Sequence, residues 1–315
     1  MSTSLVIGGQ EVNRGARMQI DIPLGMLNTL THVDMAIYVV RGEEDGPTLF
    51  LSGAIHGDEL NGVEIVRRVM DKVDPGRLRG TLIAVPIVNV FGFISESRYL
   101  PDRRDLNRSF PGSKRGSQAA RLANIFMTEI VKKCDYGIDL HTAARGRYNL
   151  PHVRGDFTNP VIHRVASAFA APVYLHSAGQ DGTIRRAANK LGIPVILYEG
   201  GEAGRFDHGP ITIGVDGTLR VMKELGMIRS APAVTEESVE AVGTKWVRAK
   251  RGGLLRLDRL TGEHVRRRQK IGAIGDALGD ETVRVIAPAD GIIISHATNP
   301  LLNQGDAVVH IAKTQ

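Results

Sequence analysis

Three stretches predicted to be strands end in residues able to hold a metal ion or move a proton. The first is Leu49-Phe50-Leu51-Ser52-Gly53-Ala54-Ile55-His56-Gly57-Asp58-Glu59, an apolar run closing on a His and, three residues on, a Glu. The second, Tyr136-Gly137-Ile138-Asp139-Leu140-His141, closes on another His, and the third, Pro194–Tyr198, runs into Glu199 and Gly200-Gly201. Two neutral imidazoles and one carboxylate suit zinc and leave a fourth tetrahedral position to water. Zinc acidifies that water and polarises a carbonyl oxygen, while a separate carboxylate shuttles the proton. Glu199, at the mouth of a dry crevice, suits the shuttle; for a lone Glu the commoner role is a loop or capping carboxylate. His-x-x-Glu is a weak signal by itself, since with 10 His in the chain a chance match is roughly an even bet. A surface His beside a helix N-terminus, with Asp58 and Glu59 favoured there by the helix dipole, is the competing explanation.

Other residues could complete such a site. Asp139 alternates to the same strand face as His141 and could orient it, or simply pair with an arginine. The segment Arg98 to Gly112 is rich in cations, and arginine takes carboxylates in a bidentate fork, while Asn107 can donate an amide hydrogen bond. A solvated basic loop is the commoner use of such a run. Arg145 and Arg147 could meet a second carboxylate or acyl tail, or lie on the surface. His152, His163, His176 and His208 have no partner at a ligand spacing and read as structural or exposed.

These residues need a sheet to bring them together. Met18–Ile22 and Asp34–Val40 look like strands, Glu43–Pro47 a turn, and the apolar run from Leu49 a buried strand. Val63, Ile65, Val66, Val69 and Met70 recur at helical spacing, which places Glu59 on the first turn of that helix. Asp74-Pro75-Gly76 ends it, Thr81–Pro86 is a strand, and 89–116 reads as irregular. Helices are expected at 117–133, 159–171, 183–191 and about 216–225, with strands at 136–141, 172–175 and 194–198. Strands alternating with helices argue for an α/β sheet covered on both faces. His56 and Glu59 can then face one crevice at its carboxyl edge, where open α/β sheets place ligands.

The composition of 229–243 is that of a linker. Beyond it short strands with glycine turns repeat: Val247, Ala249, Gly253, Leu254 and Leu255 return 38 residues later as Val285, Ala287, Gly291, Ile292 and Ile293. Two such halves suggest a pseudo-symmetric sandwich or barrel, resembling the barrel-sandwich hybrid of biotinyl and lipoyl carriers. No Met-Lys-Met-like hairpin is present, which argues against a covalent cofactor carrier.

The 315 residues suffice for one large domain and a small one. The single cysteine, Cys134, excludes an intrachain disulfide and suits a reducing cytoplasm. No apolar run approaches the roughly 18 residues of a membrane span, and Met1–Asn13 lacks the pattern of a signal peptide. Net charge is +6, yet aromatic residues are 5% of the chain and the run Arg266-Arg267-Arg268-Gln269-Lys270 has none interleaved. That argues against nucleic-acid binding and leaves attraction for an anionic small molecule. A homo-oligomer is compatible with the sequence.

His-Gly-Asp-Glu at 56–59, Asp-Leu-Asn-Arg-Ser-Phe-Pro-Gly at 105–112, Asp-Leu-His at 139–141 and Glu199 occur together in one order. In that order, over roughly residues 45 to 228, the chain resembles the succinylglutamate desuccinylase/aspartoacylase family, relatives of the zinc carboxypeptidases. The resemblance implies a zinc-carboxypeptidase-like mixed sheet flanked by helices, then a small all-β barrel-sandwich domain. The expected division is 1–228 catalytic, 229–243 linker and 244–315 barrel. It further implies one Zn2+ per chain on His56, Glu59 and His141, and Glu199 as general base and acid. Asn107 and Arg108 would hold a substrate carboxylate, and Arg98 would polarise the scissile carbonyl. The family arginine usually lies closer to the Asp-Leu-Asn-Arg motif, so Arg103 and Arg104 stay open beside Arg98. Asp58 stands where aspartoacylases proper have Asn, which counts against acetylaspartate as substrate. The expected activity is removal of an acyl group from an N-acyl amino acid or similar small amide. A carboxypeptidase-like hydrolase of short peptides or isopeptides and a non-catalytic metal-binding module are the alternatives.

Overall fold

The computed structural model describes residues 5–279 and 282–314. In chain order the first part comprises β1 (Leu5–Ile7), β2 (Gln10–Val12), β3 (Arg17–Met26), β4 (His32–Arg41), β5 (Glu44–Ser52), α1 (Asn61–Lys72) and β6 (Arg79–Val85). There follow α2 (Val90–Ile94), α3 (Gln118–Glu129), β7 (Tyr136–Ala143), β8 (Arg147–Gly155), α4 (Pro160–Phe169), β9 (Val173–His176), α5 (Ile184–Lys190), β10 (Val195–Glu202) and α6 (His208–Glu224). The C-terminal part is all β: β11 (Val239–Ala241), β12 (Gly243–Arg248), β13 (Gly253–Leu257), β14 (His264–Val265), β15 (Lys270–Gly275), β16 (Thr282–Ile286), β17 (Gly291–Ala297), β18 (Leu301–Leu302) and β19 (Ala307–Lys313). Among the described residues no helix is long and apolar enough to cross a membrane.

The centre of the large sheet is the parallel set β6-β5-β7-β10, flanked by antiparallel β4 and β3 on one side and antiparallel β8 on the other. This is the expected mixed α/β sheet. Its strands are buried on both faces, so they read as continuous apolar runs. One face packs Phe50, Ile83 and Val195 against α3 and α5, and the other packs Leu49, Leu51, Ile138 and Tyr198 against α1, α4 and α6. Helix α1 contributes Ile65, Val66, Val69 and Met70, each contributing roughly 1.5–3 kcal/mol by leaving water.

Several local expectations change. Glu59 lies in the loop two residues ahead of α1, not in its first turn. Helix α6 begins at His208, because Pro210 in its first turn needs no intrahelical partner for its nitrogen, while Gly209 and Gly214 had masked the helical pattern. The segment read as irregular contains α2, and the N-terminal residues form the β1–β2 hairpin. Strand β8 was not anticipated. Pro151 interrupts it, and its register with β10 shifts between Glu199 and Gly201, so no clean alternation marks it.

The sequence repeat becomes a structural one. β12 pairs with β19 as β16 pairs with β15, and β17 pairs with β14 as β13 pairs with β18. The halves are not independent of the large sheet: β17 hydrogen-bonds to β8 through Ser295, His296 and Ala297, and β11, within the expected linker, pairs with β9.

The loop after β5 is fixed by close backbone approach. Ala54 holds φ at +46°, an uncommon conformation for a residue with a Cβ, and turns the chain out of the sheet. At Gly57 a Cβ would lie 2.0 Å from the carbonyl carbon of Gly92 and 2.2 Å from the nitrogen of Phe93, both backbone atoms that cannot swing aside. Gly57→Ala is therefore expected to cost about 1–3 kcal/mol of stability by overpacking, measurable by urea unfolding. A cost within error would mean that α2 yields without resistance.

Candidate active site

His56, Glu59, His141 and Glu199 meet at the carboxyl edge of the neighbouring strands β5, β7 and β10. Glu199 and His141 are directly paired across β10 and β7. Asn61 ties this edge together: its Nδ2 donates to the Gly200 carbonyl at 3.0 Å and its Oδ1 accepts from the Asp207 N–H at 3.0 Å. The start of α1 and the loop after Glu199 are thereby held to each other.

His56, Glu59 and His141 are all buried, and one ligand atom from each lies within 4.8 Å of the others. Glu59 sits between the two rings, with Oε1 2.6 Å from His56 Nδ1 and Oε2 2.7 Å from His141 Nδ1. The outer ring nitrogens also meet carboxylates: His56 Nε2 is 3.1 Å from Asp105, and His141 Nε2 is 2.8 Å from Asp139. Asp139 is itself held by Ser52 Oγ at 2.8 Å. Carboxylates behind metal-binding imidazoles fix ring orientation and raise ligand basicity, so the donor set fits a zinc ion facing the two Nδ1 atoms and Glu59.

Electrostatics follow from burial against charge. Burial would drag both imidazoles down. For His141 the carboxylates of Asp139 and Glu59 outweigh it and raise the pKa well above the ordinary value; for His56, Glu59 and Asp105 outweigh it and raise the pKa. Burial would raise Glu59, but His56 and His141 hold it below the carboxylate range. Glu199 has no such compensation. Burial raises its pKa, only partly opposed by Arg154 and His141.

Arg98 lies at the crevice wall, with Nη1 3.4 Å from Glu59 Oε1 and Nη2 2.9 Å from Asp105 Oδ2. Arg103 and Arg104 are exposed and do not line the crevice. Asn107 is buried, its Nδ2 3.4 Å from His141 Nε2 and its Oδ1 accepting from the Ile184 N–H. Arg108 reaches the same cavity, held by its own hydrogen bond to the Asn107 carbonyl. Its backbone lies so close to Gly182, at φ +85°, that any side chain there would strike the Arg108 carbonyl oxygen at 2.5 Å. Arg145 is exposed and pairs with Glu96, whereas Arg147 lines the crevice. His152 is buried on β8, and His163, His176 and His208 stand apart from the ligand set.

The residues that line the cavity of about 510 Å³ without having been expected there include Asn149, Arg154, Arg185 and Trp246. Asn149 Nδ2 donates to Glu199 Oε2 at 3.0 Å, fixing one carboxylate oxygen and leaving the other to the crevice. Trp246 comes from the C-terminal β part. It stacks on His310 at 4.0 Å, with the Arg147 guanidinium 5.0 Å over its ring. Register joins it to the neighbour of Glu199: Trp246, His310, Ser295 and Asn149 are successive cross-strand partners over β12, β19, β17 and β8. The only sequence signal for these four was their type, since their placement depends on strand pairing.

Residues 45–225 match the succinylglutamate desuccinylase/aspartoacylase catalytic domain. The chain is 27% identical over 291 residues to the N-alpha-acetyl-L-2,4-diaminobutyric acid deacetylase of Halomonas elongata, covering 87% of this chain and 84% of that protein. It is also 27% identical over 155 residues to a succinylglutamate desuccinylase of Pseudomonas aeruginosa, covering 45% and 44% of the two. The crystal structure of a succinylglutamate desuccinylase/aspartoacylase from Rhodobacter sphaeroides superposes with a TM-score of 0.86 at 26% identity, over 96% of this chain and 98% of that one.

Proposed function

The chain belongs to the succinylglutamate desuccinylase/aspartoacylase family, and from that premise we propose that it is a zinc-dependent hydrolase removing the acyl group of an N-acyl amino acid or similar small amide. The observation that carries this reading is the meeting of His56, Glu59 and His141 beside a separate, half-buried carboxylate, Glu199, in one crevice. His56 and His141, through Nδ1, and Glu59 would hold the ion. Bound there, zinc supplies a Lewis acid for the amide carbonyl and acidifies water.

The chain's own residues do the rest. Asn107 and Arg108 fix a substrate carboxylate and so the register of the amide. Arg98 places positive charge where the carbonyl oxygen gains negative charge. Glu199, one oxygen fixed by Asn149, takes the proton of the attacking water and returns it to the leaving amine. A cavity of about 510 Å³ walled by Trp246 favours a small amide over a long peptide. The lone cysteine, buried Cys134, fits a reducing cytoplasm.

The test is metal content together with hydrolysis of N-acetyl and N-succinyl amino acids and short peptides, with and without chelator. About one zinc per chain and chelator-sensitive release of an amino acid from its acyl derivative are expected. Cleavage of peptides alone would replace this reading with the carboxypeptidase-like one. Failure to take up zinc would overturn both.

A further inference from the structure

We propose that Asn61 is a positioning residue for Glu199: through its side chain, the loop that carries Glu59 fixes where the end of β10 stands, so that the two halves of the site keep one spacing. The inference rests on the hydrolase reading above for what Glu199 does, and on the following geometry for how it is held.

Asn61 is the first residue of α1, two after Glu59, and it is fully buried. An asparagine near a helix start ordinarily spends its side chain on its own helix. This one reaches instead to a loop 139 residues on in sequence. Its Nδ2 donates to the Gly200 carbonyl and its Oδ1 accepts from the Asp207 N–H, so both of its polar atoms are used. Gly200 is where β10 leaves its ladders. The register with β7 shifts between Glu199 and Glu202, and the register with β8 shifts between Glu199 and Gly201. Beside Glu199, Asn61 therefore supplies the hydrogen bond that a regular strand neighbour would give. Gly201 turns at φ +82°, and a Cβ there would lie 2.4 Å from both Asn61 Nδ2 and Asp207 Oδ2. Asp207 Oδ2 in turn accepts from the Glu202 N–H at 2.8 Å, which closes this loop on itself.

The other side of the contact is stiff. Gly62 packs so closely on β7 that a Cβ would stand 2.8 Å from the Leu140 carbonyl oxygen. Glu59 accepts from the Thr142 N–H at 3.1 Å, besides its approach to the two imidazoles. A base must stand within hydrogen-bond reach of the water it deprotonates, and a misplacement of about 1 Å can cost about 100-fold in rate. Asn149 holds one Glu199 oxygen from the side of β8, and Asn61 holds the backbone that follows Glu199 from the side of α1. The same two loops have a second tie, the Gly204 N–H donating to the Asp58 carbonyl at 2.7 Å. Loss of the Asn61 amide should therefore loosen the spacing without parting the loops.

Asn61→Leu keeps the volume and removes both bonds. In the zinc-loaded enzyme, assayed on the amide it hydrolyses fastest, kcat should fall about 10–100-fold while KM changes by less than about threefold and zinc content stays as in the wild type. A purely structural role would lower Tm and leave the kcat of the folded molecules alone. A double variant tests the route: if Asn61 acts through Glu199, adding Asn61→Leu to Glu199→Gln should lower the residual rate by less than about twofold. In a crystal structure of Asn61→Leu the Glu199 carboxylate should stand displaced by about 1 Å relative to His56 and His141. Should that variant fail to fold, Asn61→Ala, which adds no bulk, carries the same measurements. Unchanged kcat, a loss of equal size in both backgrounds, or a loss matched by lost zinc would overturn the proposal. No hydrolysis of any acyl amino acid or peptide by the wild type would overturn the reading it rests on, and the place of Glu199 in the variant's crystal structure would then decide the positioning separately.

Discussion

Glu199→Gln is expected to lower kcat by about 10²–10⁴-fold while zinc content and fold stay as in the wild type. The substitution is isosteric, and the remaining carbonyl oxygen can still accept from Asn149 Nδ2, so packing at the end of β10 is preserved. What disappears is the only group in the arrangement proposed to take the proton of water and return it to the amine. The pH profile gives a second readout. Burial raises the Glu199 pKa above its ordinary 4.5, and a base works only when deprotonated. Activity of the wild type should therefore fall as pH drops through a value above 4.5, and the residual activity of the variant should lack that limb. Wild-type turnover in the variant would remove Glu199 from the mechanism.

Glu59→Gln should cost zinc affinity about 100-fold or more, beyond the 10–100-fold typical of residues that only support a ligand, and activity should fall with it. A neutral amide lies between two imidazoles whose Nδ1 atoms are 2.6 and 2.7 Å from the native carboxylate oxygens. The metal-free protein gives a matching stability effect. The folded pKa values of His56 and His141 are raised, so their pairing with carboxylates stabilises the fold fully below the unfolded histidine value of about 6.5. That contribution fades as pH rises through the folded values, and Glu59→Gln should diminish it. Chelator should lower the Tm of the zinc-loaded wild type but not that of the variant. Full zinc occupancy in Glu59→Gln at stoichiometric zinc would show that the ion sits elsewhere.

The residues proposed to hold the metal stood out in the sequence because few types can do that work and each lay at the end of an apolar run. Asp139 could be suspected behind His141 because period-two alternation puts both on one face, and its oxygen is 2.8 Å from the ring. Asp105 could not be placed behind His56 that way, since 49 residues separate them. The choice of Arg98 over Arg103 and Arg104 also needed the path of the loop, not its spacing. Arg154, Asn149 and Trp246 gain their meaning from β8 and β12, and β8 is a strand that Pro151 and a bulge disguised. The α/β alternation and the 38-residue repeat are legible in the sequence, but no local pattern announces that β17 adds to β8 and carries the large sheet into the C-terminal part, while β13, β15, β16 and β18 form a sheet of their own.

That shared sheet bears on how modular the chain is. A protein cut near residue 243 would bare the backbone of β8 between Arg147 and Asn149, which β17 now covers, and strand β9 would lose the cover of β11 if the cut came before Val239. Uncovered strand edges recruit other chains, so such a fragment is a template for aggregation more than a smaller enzyme. The same geometry restricts domain exchange. A C-terminal half borrowed from another protein would have to bring a strand in the register of Ser295 to Ala297, or the seam would open beside Glu199.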